Sequence, residues 1–240
     1  MKIIISPAKT MQDIEVVFDD MKKPMFYKEA KQLRSYLSTL KKSELKSILN
    51  ASDKLIDLNY DRYQRDNLLK VPSLMSYQGL QYQHMAAHLY TVDDWEFVKK
   101  HLWIISGMYG ILSPDDEVSV YRLEMQAKFK YGDFDTLEDY WSDIFKDKIH
   151  EDILNLASKE YSEVIRKNNK GKFIDVIFAV EEKEKLKVKA TVAKMARGAM
   201  VSYIVKNRIE KIDDIKGFNE FNFSYRSDLS TREKFVFVKE

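Results

Sequence analysis

The sequence predicts a mixed α/β (α+β) fold, a central mixed sheet flanked by helices, on three observations. A short β-branched run opens the chain at Lys2–Ile5, and similar apolar runs recur far downstream at Leu102–Ser106 and Phe173–Val180. Segments of helical period lie between them. With only 7 Gly and 4 Pro in 240 residues and no Ser/Gly-rich or Pro-rich stretch, nothing reads as a flexible linker, so residues 1–240 are expected to form one domain.

Taken in order, Lys2–Ile5 is apolar throughout, which places it inside the sheet, and Ser6-Pro7 ends it in a turn. From Pro24 the spacing Phe26, Ala30, Leu33, Leu37, Leu40 has helical period. A second helix is expected at Ser43–Leu49 with Ser43 as its cap, and a third at Asp53–Tyr63 with Leu55, Leu58 and Arg62 on one face. Residues 24–66 thus form a helical appendage that contains a helix, turn, helix at 43–63. Asp93–His101 is a helix with acids near its positive end, running into the strand Leu102–Ser106 and the loop Gly107-Met108-Tyr109-Gly110. Leu137–Leu154 puts Leu137, Trp141, Ile144, Phe145, Ile149 and Ile153 on one helical face. Phe173–Val180 forms a hairpin with the alternating Leu186, Val188, Ala190 across a charged turn; a helix at Met195–Ile209 and strands near Phe221–Tyr225 and Phe235–Val238 complete the chain.

The composition excludes a good deal of chemistry. Zero Cys removes disulfides, thiolate nucleophiles, iron–sulfur clusters and Cys-ligated zinc, and suits a reducing, cytoplasmic compartment. No apolar run approaches the roughly 18 residues of a membrane helix, so no membrane partner is expected. Of the four histidines, His84 and His88 lie four apart, but HMAAH lacks the Glu of a metalloprotease and no carboxylate completes a site. No metal and no cofactor is expected. Dinucleotide, P-loop and GxSxG motifs are absent, and Ser106 precedes the wrong glycine for a nucleophile turn.

The net charge of +2 hides an asymmetry. Lys159–Lys211 holds 14 Lys+Arg against 7 Asp+Glu, whereas the rest of the chain holds 26 against 31. A basic C-terminal region on a near-neutral protein fits either a solvated face or an anion-binding cleft. Arg197 and Arg208, which border or interrupt an apolar helix, are better cleft candidates than Lys187 and Lys189 on an outer strand face.

Several stretches together resemble one family, the bacterial YaaA-type peroxide stress proteins. They are ISPAKT at Ile5–Thr10, SDKL at Ser52–Leu55, SGMYG at Ser106–Gly110, YRLEM at Tyr121–Met125, NLAS followed by EY at Asn155–Tyr161, KMARG at Lys194–Gly198, IVKNR at Ile204–Arg208 and GFN at Gly217–Asn219. Their order and spacing run almost end to end. The resemblance implies protection against hydrogen peroxide, limitation of intracellular free iron, and binding of duplex or branched DNA through a positive cleft and a helix-hairpin-helix. The hairpin here would be Asn50-Ala51-Ser52-Asp53-Lys54, which lacks the usual glycine, and Ser113 replaces an arginine expected before Pro114.

Residue by residue, Ser6, Lys9 and Thr10 follow a buried strand, where Lys9 can face an anion or simply cap a turn. Arg122 and Glu124 share one side of an alternating segment, as a structural ion pair or as phosphate binder and proton acceptor. Asn155, Ser158 and Tyr161 can hydrogen-bond the same ligand, and Lys194, Arg197 and Gly198 are expected to complete an anion site at a helix start. Lys54, Lys206 and Arg208 extend the basic surface. Two readings stay open. One is a non-catalytic, sequence-independent DNA binder; the other is an enzyme acting on a nucleotide, nucleobase or damaged DNA, with Lys9, Glu124 and Tyr161 as catalytic candidates and a small anionic ligand in the cleft. Without cysteine and with four histidines, an iron effect is expected to be indirect.

Overall fold

The computed structural model describes residues 1–13, 18, 20–183 and 185–239. In chain order it contains β1 (Lys2–Ile5), β2 (Thr10–Met11), α1 (Tyr27–Thr39), α2 (Lys42–Leu49), α3 (Asp53–Tyr63), β3 (Val71–Pro72), α4 (Ser73–Ser76), β4 (Tyr77–Gln78), α5 (Leu80–Met85) and α6 (Val92–His101). It continues with β5 (Leu102–Ser106), β6 (Gly110–Leu112), β7 (Glu117–Val118), α7 (Leu137–Phe145), β8 (Ile153–Leu156), α8 (Lys159–Asn168), β9 (Phe173–Glu182), β10 (Lys185–Lys187), α9 (Ala190–Lys206), β11 (Phe223–Tyr225) and β12 (Lys234–Lys239). The main sheet has eight strands in the order β11-β12-β9-β8-β1-β5-β6, with β10 on β9.

This is the expected mixed sheet. Strands β12, β9, β8, β1 and β5 run parallel, while β6, β10 and β11 are antiparallel edges. Strand β1 is interior: Ile3 faces Leu102 on one side and Leu154 on the other, and Ile5 faces Ile104 and Leu156. Its three isoleucines are at most 1% exposed, the state that a strand covered on both faces imposes. Each contributes about 1.5–3 kcal/mol by burial. Helices α6 and α9 pack on β1 and β9 and touch each other, and α8 packs on β5 and α7. Among the described residues no helix is long and apolar enough to cross a membrane.

Several expectations need correction. Helix α2 begins one residue early, because the Glu44 carboxylate accepts the Lys41 N–H at 2.8 Å; Ser43 lies inside the helix and does not cap it. In α3 the buried face is Ile56, Asn59 and Tyr63, and Leu58 is 45% exposed. The helix expected over Leu137–Leu154 stops at Phe145; Asp147 adopts φ +59 and Ile153 enters β8. Ile149 and Ile153 are buried as foreseen, from an extended chain. The 173–190 hairpin exists but its second strand ends at Lys187, since Ala190 already begins α9; Glu184 in its turn lies outside the described residues.

Helix α9 starts before Met195 and ends before Ile209, where Arg208 turns to φ +50. Gly198 therefore sits mid-helix, not at a helix start. A Cβ there would lie 2.1 Å from the Gln81 carbonyl oxygen, so its role is close packing of α9 on α5. In an ordinary helix Gly→Ala adds about 1 kcal/mol of stability. Here the sign reverses: Gly198→Ala is expected to cost about 1–3 kcal/mol through overpacking, read as a lower midpoint in urea.

Candidate functional site at the strand-order reversal

From β1 the chain crosses to β5 on one side, then returns to β8 on the other and continues outward through β9 and β12. The order reverses between β1 and β8, and the crevice beyond the carboxyl ends of such strands is where open α/β sheets bind ligands. The residues after both strands meet there. Ser158 donates its backbone N–H to Ser6 Oγ at 2.8 Å, and Ser6 Oγ donates to Ser158 Oγ at 3.1 Å. Tyr82 from α5 donates its hydroxyl to the Ser6 carbonyl at 2.9 Å, fixing the loop from below.

A cleft of about 320 Å³ opens at this point, and its charged lining is Lys9, Glu160, Lys194 and Arg197. Ser6, Thr10, Ser158 and Tyr161 also line it, with Gln78, Gln81 and Tyr82 on the α5 side. Lys194 is exposed at the rim. Arg197 is half-buried, and its Nε is buried without a hydrogen-bond partner. Burial lowers the pKa of its guanidinium, while the Asp175 carboxylate favours the charge. A desolvated arginine that lines a cleft and keeps an unused donor is a candidate seat for an anion.

Next to the cleft, Arg122 Nη2 donates to Glu124 Oε1 at 2.7 Å, and Lys9 Nζ lies 3.4 Å from the same oxygen. Both members of the Arg122–Glu124 pair are only 14% exposed; Lys9 is 69% exposed. The segment carrying them alternates, with Tyr121, Leu123 and Met125 buried, yet it is irregular chain rather than strand. It is held from outside. Tyr63 at the end of α3 donates its hydroxyl to the Arg122 carbonyl at 2.7 Å, and Gly107 lets the Leu123 carbonyl approach to 2.3 Å from where a Cβ would stand. The 106–110 loop is thus packed against protein backbone. Ser106 is fully buried, with its Oγ 2.6 Å from the Tyr121 hydroxyl.

Tyr161 is buried, and burial pushes its phenol pKa up, so it stays protonated and acts as a donor. Glu160, named before only within the EY motif, is the residue that sequence reasoning missed as a candidate. Burial raises its pKa; the Gln126 N–H and Lys9 favour the charged form, and Glu124 opposes it. Its position two residues after Ser158, in the first turn of α8, is the signal that would have found it.

Other candidates lie elsewhere. Asn155 donates to Asp175 at 2.8 Å and accepts the Ala157 N–H at 2.9 Å, so it shapes the loop after β8 without lining the cleft. Arg208, at the far end of α9, pairs with Asp94 at 2.6 Å and lies over Phe97. Lys206 is exposed, about 18 Å along the helix from Lys194. Lys54 is exposed at the start of α3, after the turn in which Asn50 takes φ +43 in place of a glycine; neighbouring Asp53 pairs with Lys46. His84 and His88 are separated by Ala86 in the left-handed region, and among the described residues no group of three His, Asp or Glu is placed to hold a metal. A larger groove of about 980 Å³ opens at the amino ends of β9 and β12; its Arg166 and Lys216 are paired with Asp175 and Asp213, and Lys172 and Arg232 also line it.

The burial difference within the Lys9, Arg122, Glu124 cluster has a measurable outcome. Arg122→Ala leaves Glu124 buried beside one exposed lysine and is expected to cost about 3 kcal/mol in chemical denaturation. Lys9→Ala, at an exposed position, should cost less than about 1 kcal/mol.

The whole chain, and not the cleft alone, has relatives. Residues 1–229 match the family model described as Peroxide stress protein YaaA. A UPF0246 protein of Ligilactobacillus salivarius is 43% identical over 246 residues, covering all of both chains. One from Lachnoclostridium phytofermentans is 41% identical over 246 residues, covering all of this chain and 96% of that protein. One from Clostridioides difficile is 39% identical over 247 residues, again covering both chains fully. With identity at this level sustained from the buried β1 to the last strand, the chain belongs to the peroxide stress protein YaaA family.

Proposed function

We propose that this peroxide stress protein binds duplex or branched DNA without reading its sequence, seating one backbone phosphate in the cleft, and that it thereby helps to limit iron-driven oxidative damage. The observation that carries the reading is the Arg197 guanidinium, desolvated, with an unpartnered Nε, beside Lys194 and the Ser6–Ser158 hydroxyls at the strand-order reversal. A space of about 320 Å³ accommodates a phosphate or a single nucleotide unit, not a duplex. The helix itself would lie across the rim, over exposed Lys9, Lys159 and Lys194. None of these groups addresses base edges, so contact is with the backbone. Lys54 and the α2–α3 turn offer a second, peripheral contact that Asp53 weakens.

A second reading, an enzyme acting on a nucleotide or nucleobase in the same cleft, is favoured by Glu124. Its Oε2 is buried without a partner beside Lys9 and Arg122, which a coat of positive charge does not require.

Fluorescence anisotropy against a labelled duplex and a four-way junction tests the first reading. Affinity should fall linearly in log salt, and Arg197→Ala should weaken binding about tenfold and reduce the slope by about one. Arg208→Ala should leave affinity within about twofold, because its charge is spent on Asp94. Absence of binding at low salt would refute the reading.

A further inference from the structure

The Arg122–Glu124 pair leaves two of its buried polar atoms without a partner. Arg122 Nε is a buried donor without a partner, and Glu124 Oε2 a buried acceptor without one. Beside them lies a cavity of about 10 Å³, whose polar lining is Lys9, Tyr121, Arg122, Glu124 and Tyr161. A buried water needs about 10–15 Å³ and two to four polar partners. The orphaned N–H and the orphaned carboxylate oxygen are two such partners, and they complement the two faces of a water molecule. Lys9 and Tyr161 line both this cavity and the cleft, so a water held here borders whatever the cleft holds.

We propose that this water is the nucleophile of a hydrolytic reaction, with Glu124 as general base and Glu160 as general acid, on a nucleoside 5′-phosphate unit that is split at its N-glycosidic bond. The unit is free or part of a nucleic-acid strand, and the inference rests on the phosphate seat of the preceding reading. Ser158, Lys194 and Arg197, which form that seat, do not line the small cavity. The water therefore addresses a part of the ligand away from the phosphate, which in a nucleotide is the sugar. Glu124 Oε2 takes one proton as the water oxygen bonds to C1′. The C1′–N bond breaks, its electron pair leaves with the base, and the Glu160 carboxyl donates the proton that the base takes up. One water is consumed, a sugar 5′-phosphate and a free base are released, and proton exchange with solvent resets both carboxyls.

The environments of the two carboxyls suit these roles. Glu124 is held at the cavity by Arg122 at 2.7 Å and Lys9 at 3.4 Å, both on Oε1, which leaves Oε2 to meet the water. Glu160 lines the cleft but not the water cavity, and its burial favours the protonated form that an acid needs. Two carboxyls flanking a sugar also stabilise the positive charge that develops on C1′. The charged and titratable groups facing Glu160 are Lys9, Glu124 and Tyr161, together with the Gln126 N–H at 3.4 Å.

The full-length chain would be incubated with the ribo- and deoxyribonucleoside 5′-monophosphates in one arm, and with 5′-labelled single-stranded and duplex oligonucleotides in the other. Free base would be read by chromatography, and abasic positions by alkali-labile breaks. The expected result is base release in at least one arm, reduced about 100-fold or more in Glu124→Gln with anisotropy affinity unchanged. Glu160→Gln should abolish the fall in rate on the alkaline side of the pH profile. Wild-type protein that binds DNA yet releases no base in either arm overturns the hydrolysis and leaves the binding reading standing. Undiminished release by folded Glu124→Gln removes Glu124 as the base and overturns the proposal. Neither binding nor release overturns both.

Discussion

Everything at the cleft depends on β1 being hydrogen-bonded to a parallel strand on each side. Because β5 and β8 lie on opposite sides of β1, the loops after β1 and β8 diverge above a crevice, which α5 borders from the side. The Ser6–Ser158 bridge then ties the two loops at a fixed separation. A shift of one residue in the β1–β8 register would turn Ile3 and Ile5 to the other face and separate the two serines. The burial of Ile3, Ile4 and Ile5 is therefore also what sets the geometry of the site.

Charge is distributed unevenly over that frame. On the outer surface several cations are matched locally: Lys42 with Asp57, Lys46 with Asp53, Lys216 with Asp213, Arg226 with Asp228. These exposed pairs contribute little to stability. In and beside the cleft the balance differs, since Arg197 is desolvated with an open donor and the neighbouring Arg122–Glu124 pair keeps an open donor and an open acceptor. Buried unmet hydrogen-bonding capacity costs stability in the folded chain, and at Arg197, Arg122 and Glu124 it belongs to residues that line the cleft or the small cavity beside it, where a ligand or a bound water would contribute free energy.

The fold was legible in proportion to how local its causes are. The strands Lys2–Ile5 and Leu102–Ser106 could be read from apolar runs, and the buried face of α1 from the period of Ala30, Leu33 and Leu37, because burial of neighbouring residues leaves a direct trace in sequence. The segment Leu137–Leu154 misled because Ile149 and Ile153 keep helical spacing while lying in a β-bridge to Asn169 and a strand; helical and extended chain alike would bury them, and the left-handed turn at Asp147 marks the change from one to the other. Gly198 misled for a similar reason. Its lack of a side chain serves contact with the Gln81 carbonyl, a partner far away in sequence.

By itself the sequence determined the class of fold, the interior place of β1, the family, and the residue types available for chemistry, since composition and motif order need no folding to be read. Only the tertiary structure decided which charges act together. It brought Lys9 from the loop after β1, Glu160 from α8 and Arg197 from α9 to one cleft, with Arg122 and Glu124 from an irregular segment at the small cavity beside it, and it placed Arg208 against Asp94 at the far end of the same helix. The physical reason is that charge state and reactivity depend on burial and on distances across the sheet, and both are fixed by long-range strand order and not by spacing along the chain.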